Sequence, residues 1–294
     1  MNSATLQLAN QGIPSLWGRL ARGFRKLFAA SDWEAFAGVG WPDRIMHEEV
    51  TDRFHAKQGR SIGRWTLKAD DGRKLVVYLK RHYRLPRSHG LLAMLFPSKA
   101  WSPGLQEWQH LHRAKELGLP VPRAVAAGEF VERCRLQSFL AVEELTEMLP
   151  LHEAIPLAEK ALEPAAFQRW KQSLVKELAR LAHVLHDRSF YHKDLYLCHF
   201  YIHVDDTRSL PADWQTRVIV IDLHRLAHHR LTGLWWKVKD LAQLLYSSEI
   251  AGVNARDRIA FWRAYAGNKK SGSLLARMIR KKWRLYRRHN LKKK

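Results

Sequence analysis

The sequence lacks several features that would assign it to a broad class at once. Its two cysteines, Cys134 and Cys198, are too few for a disulfide framework and fit a reducing compartment. No apolar run approaches the roughly 20 residues that a membrane-spanning helix needs. The polar start Met1–Gln11 also lacks the basic-then-apolar order of a secretory signal. We therefore expect a folded cytosolic protein, and the 46% hydrophobic content suits one or two lobes.

Acidic residues are absent from the last part of the chain. None follows Asp257, whereas fourteen Lys and Arg lie between Arg258 and Lys294, so the rest of the chain carries only +8 of the net charge of +22. Such a tail suits an anionic surface, either nucleic acid or the inner leaflet of a membrane, and a solvated tail is the plain alternative. Aromatic residues and a leucine within 283–286 favour an amphipathic helix over 273–288. No nucleic-acid-binding motif accompanies the charge, so no nucleic-acid partner is expected.

A second basic segment lies near the start of the chain. Residues 14–29 place five apolar side chains on one helical face and basic side chains elsewhere, although Gly18 and Gly23 weaken the predicted helix. The apolar residues are Leu16, Leu20, Phe24, Leu27 and Phe28. A helix of this kind either lies on a membrane interface or packs on its own domain. We assign residues 1–44 to a basic amphipathic arm.

Alternating apolar patterns predict five strands in the first half of the chain. They cover Glu48–Lys57, Arg64–Lys68, Lys74–Tyr83, Ala124–Val131 and Leu136–Val142. Asp71-Gly72 is a hairpin signal between the second and third strands. Residues 84–104 look like an irregular connection, and 105–117 is a helical pattern ended by Gly118. These elements predict a small five-stranded antiparallel lobe with one main helix over residues 45–143.

The full phosphate-binding pattern G-x-G-x-x-G is missing, but Gly59 and Gly63 lie in a polar loop between the first two strands. Glycines there let backbone N–H groups approach phosphates, although two glycines in a hairpin are also ordinary turn chemistry. Lys80 lies late in the third strand, where it would contact nucleotide phosphates or face solvent. Glu107 lies in the first turn of the predicted helix, either as the partner of Lys80 or as an acid favoured by the helix dipole.

The segment Phe190–Ile202, FYHKDLYLCHFYI, carries a lone carboxylate in a short polar bend. Asp194, followed five residues later by His199, has the spacing of a kinase catalytic loop, in which the aspartate acts as base and the second position binds metal. Arg217–Ile221 predicts a buried strand that ends at Asp222. A carboxylate there is costly to bury unless it is paired or ligates a metal. Asp222 is therefore the candidate magnesium ligand, and an exposed turn aspartate is the alternative.

Helical patterns dominate the second half of the chain. They cover 165–185, 235–246, 258–266 and 273–288. We expect a mostly helical larger lobe over 144–268 and a basic tail over 269–294. Glu143 begins a candidate hinge whose backbone would meet an adenine ring. Asp240, inside a predicted helix, is expected to brace the catalytic loop. Only about a dozen residues follow Asp222 before that helix, too few for an activation segment with a peptide platform.

The ordered set Lys80, Glu107, Asp194 and Asp222 supplies the parts that phosphoryl transfer needs, namely a cation on the phosphates, carboxylates on magnesium and a base near the acceptor hydroxyl. Three segments of the chain read YHKDLYLCHFYI, VIVIDLHR and KDLAQLLYS. Together they closely resemble the lipopolysaccharide kinase family, the Kdo/WaaP group. The most specific matches are D-x-Y-x-C-H-F at 194–200, I-D-L-H-R at 221–225 and K-D-L-A at 239–242. The resemblance in layout covers roughly residues 45–250.

The resemblance implies an α+β, bilobal protein-kinase-like fold that uses ATP and Mg²⁺, with Asp194 as base, Asp222 on the metal and Lys80 on phosphate. It implies phosphorylation of a heptose or Kdo hydroxyl of the lipopolysaccharide inner core on lipid A. The reaction would take place at the cytoplasmic face of the bacterial inner membrane, where the arm and tail would dock on anionic lipid. His199 replaces the asparagine of protein kinases. His199 is the candidate at the metal-binding position. Because imidazole ligates magnesium poorly, the alternatives are that His199 orients Asp194 or binds substrate.

Other functions stay open at this point. A small-molecule kinase or a protein kinase of the same fold is one alternative, and a catalytically silent kinase-fold scaffold is another. Close histidines, such as Cys198-His199 with His203 or His224 with His228, suggest a transition-metal site. Four convergent ligands are not evident, so that site receives little weight.

Overall fold

A computed structural model of the chain describes residues 7–8, 14–50, 52–57, 59–267 and 272–291. The chain divides into two compact units. The first comprises Met1–His112 and Pro122–Leu145, and the second comprises Arg113–Val121 and Thr146–Lys294. The finer division into an arm, two lobes and a tail stays a prediction.

The first unit is built on one antiparallel sheet. Its strands within the described residues are β1 (Gln7–Leu8), β2 (Phe24–Ala29), β3 (Asp52–Lys57), β4 (Arg60–Lys68), β5 (Lys74–His82), β6 (Ala124–Glu132) and β7 (Arg135–Glu143). They pair in the order β1-β2-β6-β7-β5-β4-β3. Strands β3 to β7 correspond to the five predicted strands, so the predicted antiparallel sheet is confirmed. Two strands from the N-terminal segment extend it.

Helices and a large apolar cluster cover this sheet. The helices are α1 (Leu16–Arg22), α2 (Trp33–Ala37), α3 (Trp41–Arg44), α4 (Arg87–Leu95) and α5 (Pro103–Glu116). Trp33 and Trp41 are fully buried and meet edge to face, and Trp41 packs in the same way on Phe139. Burial of such large rings supplies much of the apolar area that holds the sheet and helices together.

The predicted helix over residues 14–29 is wrong in its second half. Gly23 ends α1 with a φ of +73°, and a Cβ at this position would lie 2.1 Å from the carbonyl oxygen of Val131. The chain then continues as β2, which pairs with β6. Phe24, Leu27 and Ala29 are buried in this strand. Apolar residues whose spacing resembles that of a helix are therefore buried in a strand, β2, which pairs with β6.

The glycine-containing turn is shorter than predicted. Lys57 pairs with Arg60, so β4 begins directly after Gly59, whose φ is +81°. Gly63 lies inside β4, opposite Leu79 of β5, and its predicted place in the loop is wrong. Of the two predicted loop glycines, Gly59 and not Gly63 has the positive φ that favours glycine in a tight turn.

Two further predictions about the connection after β5 need correction. The segment 84–104, expected to be irregular, contains α4, because one side of that helix packs on the sheet through Ala93 and Met94. Helix α5 begins earlier than predicted, at Pro103, so Glu107 lies beyond its first turn. A role for Glu107 as a helix N-terminal acid is thereby excluded, since the dipole effect is confined to the first turn.

The second unit is mostly helical, as predicted. Its elements are β8 (Met148–Pro150), α6 (Leu151–Ala161), α7 (Pro164–Asp187), β9 (Phe190–Tyr191), β10 (Phe200–His203), β11 (Ile219–Val220), β12 (Ala227–His228), α8 (Gly233–Ser247), α9 (Ala255–Ala266) and α10 (Gly272–Leu291). The short strands form two small sheets, β11-β10-β8 and β12-β9. They fix the loops that carry the polar residues described below.

Helix α7 is the central element of this unit. Its buried side carries the four leucines expected from the sequence. They are Leu174, Leu178, Leu181 and Leu185. Lys171 on the same helix forms a buried ion pair of 2.8 Å with Asp257 and also donates to the carbonyl of Gly252, which ties α7 to the start of α9. In the part of the chain that is described, no helix has the length and apolarity to cross a membrane.

Candidate active site

The first group of site residues is an ion pair within the first unit. Lys80 lies on β5, and its Nζ is 2.6 Å from Oε1 of Glu107 on α5. Both side chains are largely buried, with exposed fractions of 20% and 9%. Lys80 lies on the partly exposed face of β5 with Val76 and Tyr78, as the alternation predicts. The predicted partnership of strand lysine and helix glutamate is therefore confirmed as a contact, while its catalytic role stays a prediction.

The start of α5 is fixed to the sheet, and this positions Glu107. The buried carboxylate of Glu129 on β6 accepts hydrogen bonds from the backbone N–H groups of Trp101 and Ser102, at 2.8 and 2.7 Å. At Gly104, a Cβ would lie 2.8 Å from the carbonyl oxygen of Phe139, so only glycine allows the helix to approach β7 this closely. Sheet and helix thus hold the ion pair from both sides.

Two other predicted residues of the first unit lie at the ends of strands. Gly59 lies in the β3–β4 turn, and its carbonyl accepts from the N–H of Tyr83. Glu143 ends β7, where its N–H donates to the carbonyl of Arg123 and its carboxylate lies 3.6 Å from the guanidinium of the same arginine. Nucleotide contacts for Gly59, Gly63 and Glu143 stay predictions.

The second group surrounds the loop of Asp194 in the second unit. The backbone N–H groups of His192 and Lys193 donate to the two oxygens of Asp240, at 2.9 and 2.8 Å. Asp240 is fully buried on α8, and Lys193 has a φ of +69°. A carboxylate that accepts two backbone bonds holds such an unfavourable conformation in place. The expected role of Asp240 as a brace of the loop is confirmed.

His186 completes the support of this brace. Its Nε2 lies 3.3 Å from Asp240, and its Nδ1 lies 2.9 Å from the hydroxyl of Tyr265. Burial lowers the pKa of His186, although Asp240 acts in the opposite direction, so the imidazole stays neutral at ordinary pH. The neutral ring donates from Nε2 to Asp240 and accepts at Nδ1. Burial raises the pKa of Tyr265, which keeps its hydroxyl a donor.

Three side chains from outside the loop contact the carboxylate of Asp194. Arg225 lies 2.9 Å from Oδ2 and Lys239 lies 3.6 Å from Oδ1. The side-chain amide of Gln243 donates to Oδ1 at 3.3 Å and also to the hydroxyl of Tyr196 at 3.0 Å. Lys239 donates in addition to the carbonyl of Lys193. Two cations and a side-chain amide thus fix the position of this carboxylate.

Sequence reasoning missed these three contacts to Asp194. Arg225 and Lys239 stand in the I-D-L-H-R and K-D-L-A matches, but the patterns assigned no role to them. For Lys239 and Gln243 the sequence does offer a signal of nearness to the loop. They lie one turn apart on the predicted helix that also carries Asp240, the residue expected to brace the loop.

His199 lies between the backbone of Asp194 and the carboxylate of Asp222. Its Nδ1 lies 2.7 Å from the carbonyl oxygen of Asp194, and its Nε2 lies 3.6 Å from Oδ2 of Asp222. Because Nδ1–H donates to the carbonyl, Nε2 is the ring nitrogen that faces Asp222, and a proton bound there would point towards its carboxylate. Burial lowers the pKa of His199, but a hydrogen bond to Cys198, the Asp194 carbonyl and the charge of Asp222 together raise it above its ordinary value.

Asp222 itself adopts the left-handed conformation, with φ of 61° and ψ of 47°. Its Oδ1 accepts from Nδ1 of His224 at 2.6 Å. The preceding residue, Ile221, is bonded to the catalytic loop twice, through its carbonyl to Nε2 of the buried His192 and through its N–H to the carbonyl of His199. Within the second unit, the structure therefore brings Asp194, His199 and Asp222 together.

The donor set around Asp222 suits a hard divalent cation through its carboxylate oxygen. Magnesium takes one or two carboxylates and completes its shell with water and phosphate oxygens, so a large protein cage is not needed. Among the residues that the structure describes, no three His, Cys, Asp or Glu side chains are close enough together to hold a metal by themselves. Asp222 would hold the cation, with Nε2 of His199 as its neighbour.

Comparison with known proteins gives a consistent result. The pattern that defines the Lipopolysaccharide kinase (Kdo/WaaP) family matches residues 52–265. A lipopolysaccharide core heptose(I) kinase WaaP from Pseudomonas aeruginosa is 33% identical over 258 residues, which cover 84% of this chain and 92% of that protein. A protein of the same name from Escherichia coli K12 is 29% identical over 163 residues, or 55% of this chain and 59% of the relative.

A solved structure shares the fold. The structure described as WaaP in complex with acyl carrier protein has a TM-score of 0.64 and 28% identity, and the match covers 88% of this chain and 99% of that chain. This likeness confirms the predicted α+β, protein-kinase-like fold class. With a family pattern over most of the chain and a relative matched over nearly its whole length, the chain belongs to the lipopolysaccharide kinase (Kdo/WaaP) family.

Proposed function

We propose that this chain transfers the terminal phosphoryl group of ATP to a heptose hydroxyl of the lipopolysaccharide inner core. The observation that carries the proposal is that His199 bonds to the backbone carbonyl of Asp194 and lies 3.6 Å from Asp222, so the candidate base and the candidate metal ligand share one neighbour. The names of the relatives favour heptose over Kdo as the acceptor sugar. The ion pair of Lys80 and Glu107 adds the cation that phosphates need.

Each residue has a stated task in this reaction. Asp194 accepts the proton of the acceptor hydroxyl as that oxygen attacks phosphorus, and Arg225 and Lys239 keep the carboxylate aligned. Asp222 would hold Mg²⁺, and the ion would supply charge neutralisation at the phosphate oxygens. Glu107 orients Lys80 towards the phosphates, and Gly59, Gly63 and the Glu143 backbone contribute to the nucleotide site.

His199 is assigned as an orienting residue. Its Nδ1–H fixes the backbone carbonyl of Asp194 and its Nε2 faces Asp222, so a rotation of the ring would disturb the loop backbone at Asp194 and the carboxylate of Asp222 at once. Imidazole is a weaker ligand than oxygen for magnesium, and the hydrogen bond at 2.7 Å supports the orienting role more directly.

Labelled ATP, magnesium and a purified heptose-containing core acceptor test the proposal. Transfer to the saccharide by the wild-type chain, and its loss in Asp194→Asn, are expected. Nucleotide binding without transfer to saccharide, lipid or protein would favour a silent scaffold, and transfer only to protein or to a small alcohol would favour the other kinases.

The location of the reaction is part of the same proposal. An acceptor carried on lipid A would bring the enzyme to the cytoplasmic face of the inner membrane, as a peripheral protein on anionic lipid. The net charge of +22 supports binding to such a surface, since basic residues near anionic lipid each contribute about 1 kcal/mol. Cell fractionation with and without a high-salt wash measures this association.

A second proposal concerns a protein partner. We propose that the chain binds an acyl carrier protein, as the structural relative does. Supporting this, the second unit contains an apolar cavity of about 290 Å³ between α7, α8, α9 and α10, large enough for part of an acyl chain. Leu178, Leu241, Phe261 and Ile279 are among its lining residues. Native mass spectrometry with acylated and non-acylated carrier protein tests the idea, and equal binding of both would argue against use of the cavity.

A further inference from the structure

Two helices of the first unit leave large apolar side chains uncovered by the described residues. Helix α1 buries none of its side chains, and Trp17 is 80% exposed. Helix α4 buries Ala93 and Met94 but exposes its opposite side. We define the α1–α4 patch as the exposed residues Leu16, Trp17, Leu20, Leu91, Leu95 and Phe96. Single exposed apolar residues are common, but a group of six on adjoining elements marks an interaction site.

The two helices are held against each other, so their exposed sides belong to one surface. Nε of Arg19 donates to the carbonyl of Met94 at 2.8 Å. On β2, directly after α1, Nζ of Lys26 lies 3.1 to 3.3 Å from three successive carbonyl oxygens just beyond α4, those of residues 97–99. Beneath them, Phe24 packs with Ala93 and Met94 in a buried cluster.

The segments that carry the patch contain only basic charge. No acidic residue occurs in residues 1–31 or 72–106. Arg22, Arg87 and Lys99 are exposed beside the patch. Arg19 and Lys26 bond to backbone carbonyls instead of side-chain carboxylates, so these contacts leave their positive charge in place. The patch is thus an apolar surface with a mainly cationic rim. Glu132 on β6, whose Cα lies beside Gly23, is a nearby exposed acid, and Arg133 lies 4.0 Å from its carboxylate.

The basic helix of the second unit is built differently. Ile279 on α10 is only 5% exposed, and Nε1 of Trp283 donates to Glu249 at 2.7 Å. Lys282 lies over the rings of Trp235 and Tyr286, at 5.1 and 5.5 Å from their centroids. Helix α10 therefore buries Ile279 and engages Trp283 and Tyr286 in contacts within its own unit, although Leu274 and Leu285 are exposed, whereas α1 buries none of its side chains.

We propose that the α1–α4 patch docks on an anionic lipid bilayer. Trp17 and Phe96 enter the boundary between headgroups and acyl chains, and the rim contacts lipid phosphates. The inference rests on the proposed function only in that a lipid-borne acceptor brings the enzyme to a bilayer. A bilayer offers an apolar phase beneath a continuous anionic layer, which matches a broad apolar patch with distributed cations better than a folded acidic protein does.

Flotation of the full chain with vesicles tests the proposal. Vesicles of phosphatidylethanolamine and phosphatidylglycerol are compared with vesicles of phosphatidylcholine. The variant Trp17→Ser/Leu95→Ser/Phe96→Ser should bind the anionic vesicles about tenfold more weakly than wild type, since three inserted side chains are lost. The matched control Leu274→Ser/Leu285→Ser, at exposed positions of α10, should bind as wild type does. Equal binding by the patch variant, or a loss confined to the control, overturns the proposal.

A charge variant keeps the test valid if the triple variant fails to fold. Arg22→Glu/Lys99→Glu alters only exposed side chains, and it should weaken binding at low salt with less effect at high salt. Wild-type affinity in this variant would contradict the basic rim. A patch variant that still binds vesicles but no longer binds acyl carrier protein would assign the surface to the protein partner instead.

Activity assays separate this proposal from the proposed function. The patch variant should phosphorylate a water-soluble core oligosaccharide at the wild-type rate but lose activity on the same saccharide carried by lipid A in vesicles. If the wild-type chain phosphorylates neither acceptor, the proposed function fails, and flotation still decides whether the patch binds lipid. Equal losses of the patch variant on both acceptors would show damage to the site and count against docking.

Discussion

The two units hold their candidate site residues in different ways. In the first unit, Lys80 and Glu107 form a single ion pair between a strand and a helix. In the second, Asp194 lies in a loop, where Arg225, Lys239 and Gln243 contact its carboxylate and Asp240 holds the adjoining backbone. One site depends on a single contact between rigid elements, and the other on several contacts to a loop.

This difference has a physical cause. Strand β5 and helix α5 are stabilised by their own hydrogen bonds and by buried apolar side chains, so two side chains suffice to complete the pair. The loop of Asp194 includes a residue with positive φ at Lys193, and its backbone has no regular partner strand. A loop of this kind stays in one conformation only when the surrounding side chains fix it.

The largest effect is expected from Asp194→Asn. The amide keeps the shape of the carboxylate but cannot accept the hydroxyl proton, so the transfer rate should fall about 10³-fold. Steady-state kinetics with ATP and the core acceptor measure the change, and thermal unfolding should stay close to wild type. Asp213→Asn, at an exposed position of the same unit, serves as control. A variant of Asp194 that retains more than a tenth of the rate would remove this residue as the base.

Breaking the ion pair of the first unit should give the next largest effect. Lys80→Met removes a cation from the phosphates and should lower kcat/KM about 10²-fold. It also leaves Glu107, which is 9% exposed, without its partner, which should destabilise the fold by about 1–3 kcal/mol.

The double variant Lys80→Met/Glu107→Gln sharpens this test. It should recover part of the lost stability, because no unpaired charge remains, but none of the lost activity. Chemical denaturation and kinetics on the same preparations measure the two quantities. Recovery of activity in the double variant would show that Lys80 acts only on Glu107 and has no role at the phosphates.

Asp240→Asn tests the support of the loop. The amide replaces a charged acceptor of two backbone N–H groups, so the free energy of unfolding should fall by about 2 kcal/mol. The transfer rate should fall about tenfold, since Asp194 stays present but less well positioned. An unchanged unfolding free energy would show that the loop holds its conformation without Asp240.

Lys239→Met should have a smaller effect, on activity alone. Arg225 and Gln243 still contact Asp194 in this variant, so kcat should fall severalfold, about 1 kcal/mol in barrier, with little change in stability. Lys239→Arg should recover part of the rate. A loss as large as that of Asp194→Asn would mean that Lys239 touches the transferred group.

The smallest expected effect concerns pH and the first unit. Burial, followed by the charges of Arg60 and Lys80, lowers the pKa of His82 to about 4. Between the ordinary pKa near 6.5 and about 4, the unfolded chain binds a proton that the folded chain does not, so stability is lost as pH falls through this window. The free energy of unfolding is measured at about pH 7 and pH 5 in both proteins. Its fall between these two pH values should be roughly 1 kcal/mol smaller in His82→Gln than in wild type, an amount that allows for the partial exposure of the site. Identical pH dependence would contradict the lowered pKa.

Much of the fold could be predicted because local periodicity reports local burial. The five strands, the helix before the catalytic loop and the basic C-terminal helix all follow from a period of two or 3.6 residues. The segment 14–29 shows the limit of this reasoning. Its apolar spacing fits a helix, but Gly23 and the free edge of β6 turn its second half into a strand.

The sequence by itself determined the order of Lys80, Glu107, Asp194 and Asp222, the family motifs and the excess of basic charge, since these are properties of residue type and spacing. Only the tertiary structure decided that Arg225 and Gln243, 31 and 49 residues away, meet the carboxylate of Asp194. It also decided that α10 buries Ile279 while α1 buries none of its side chains and exposes Trp17. The reason is that contacts between distant segments depend on how elements pack, and packing is set by the whole chain at once.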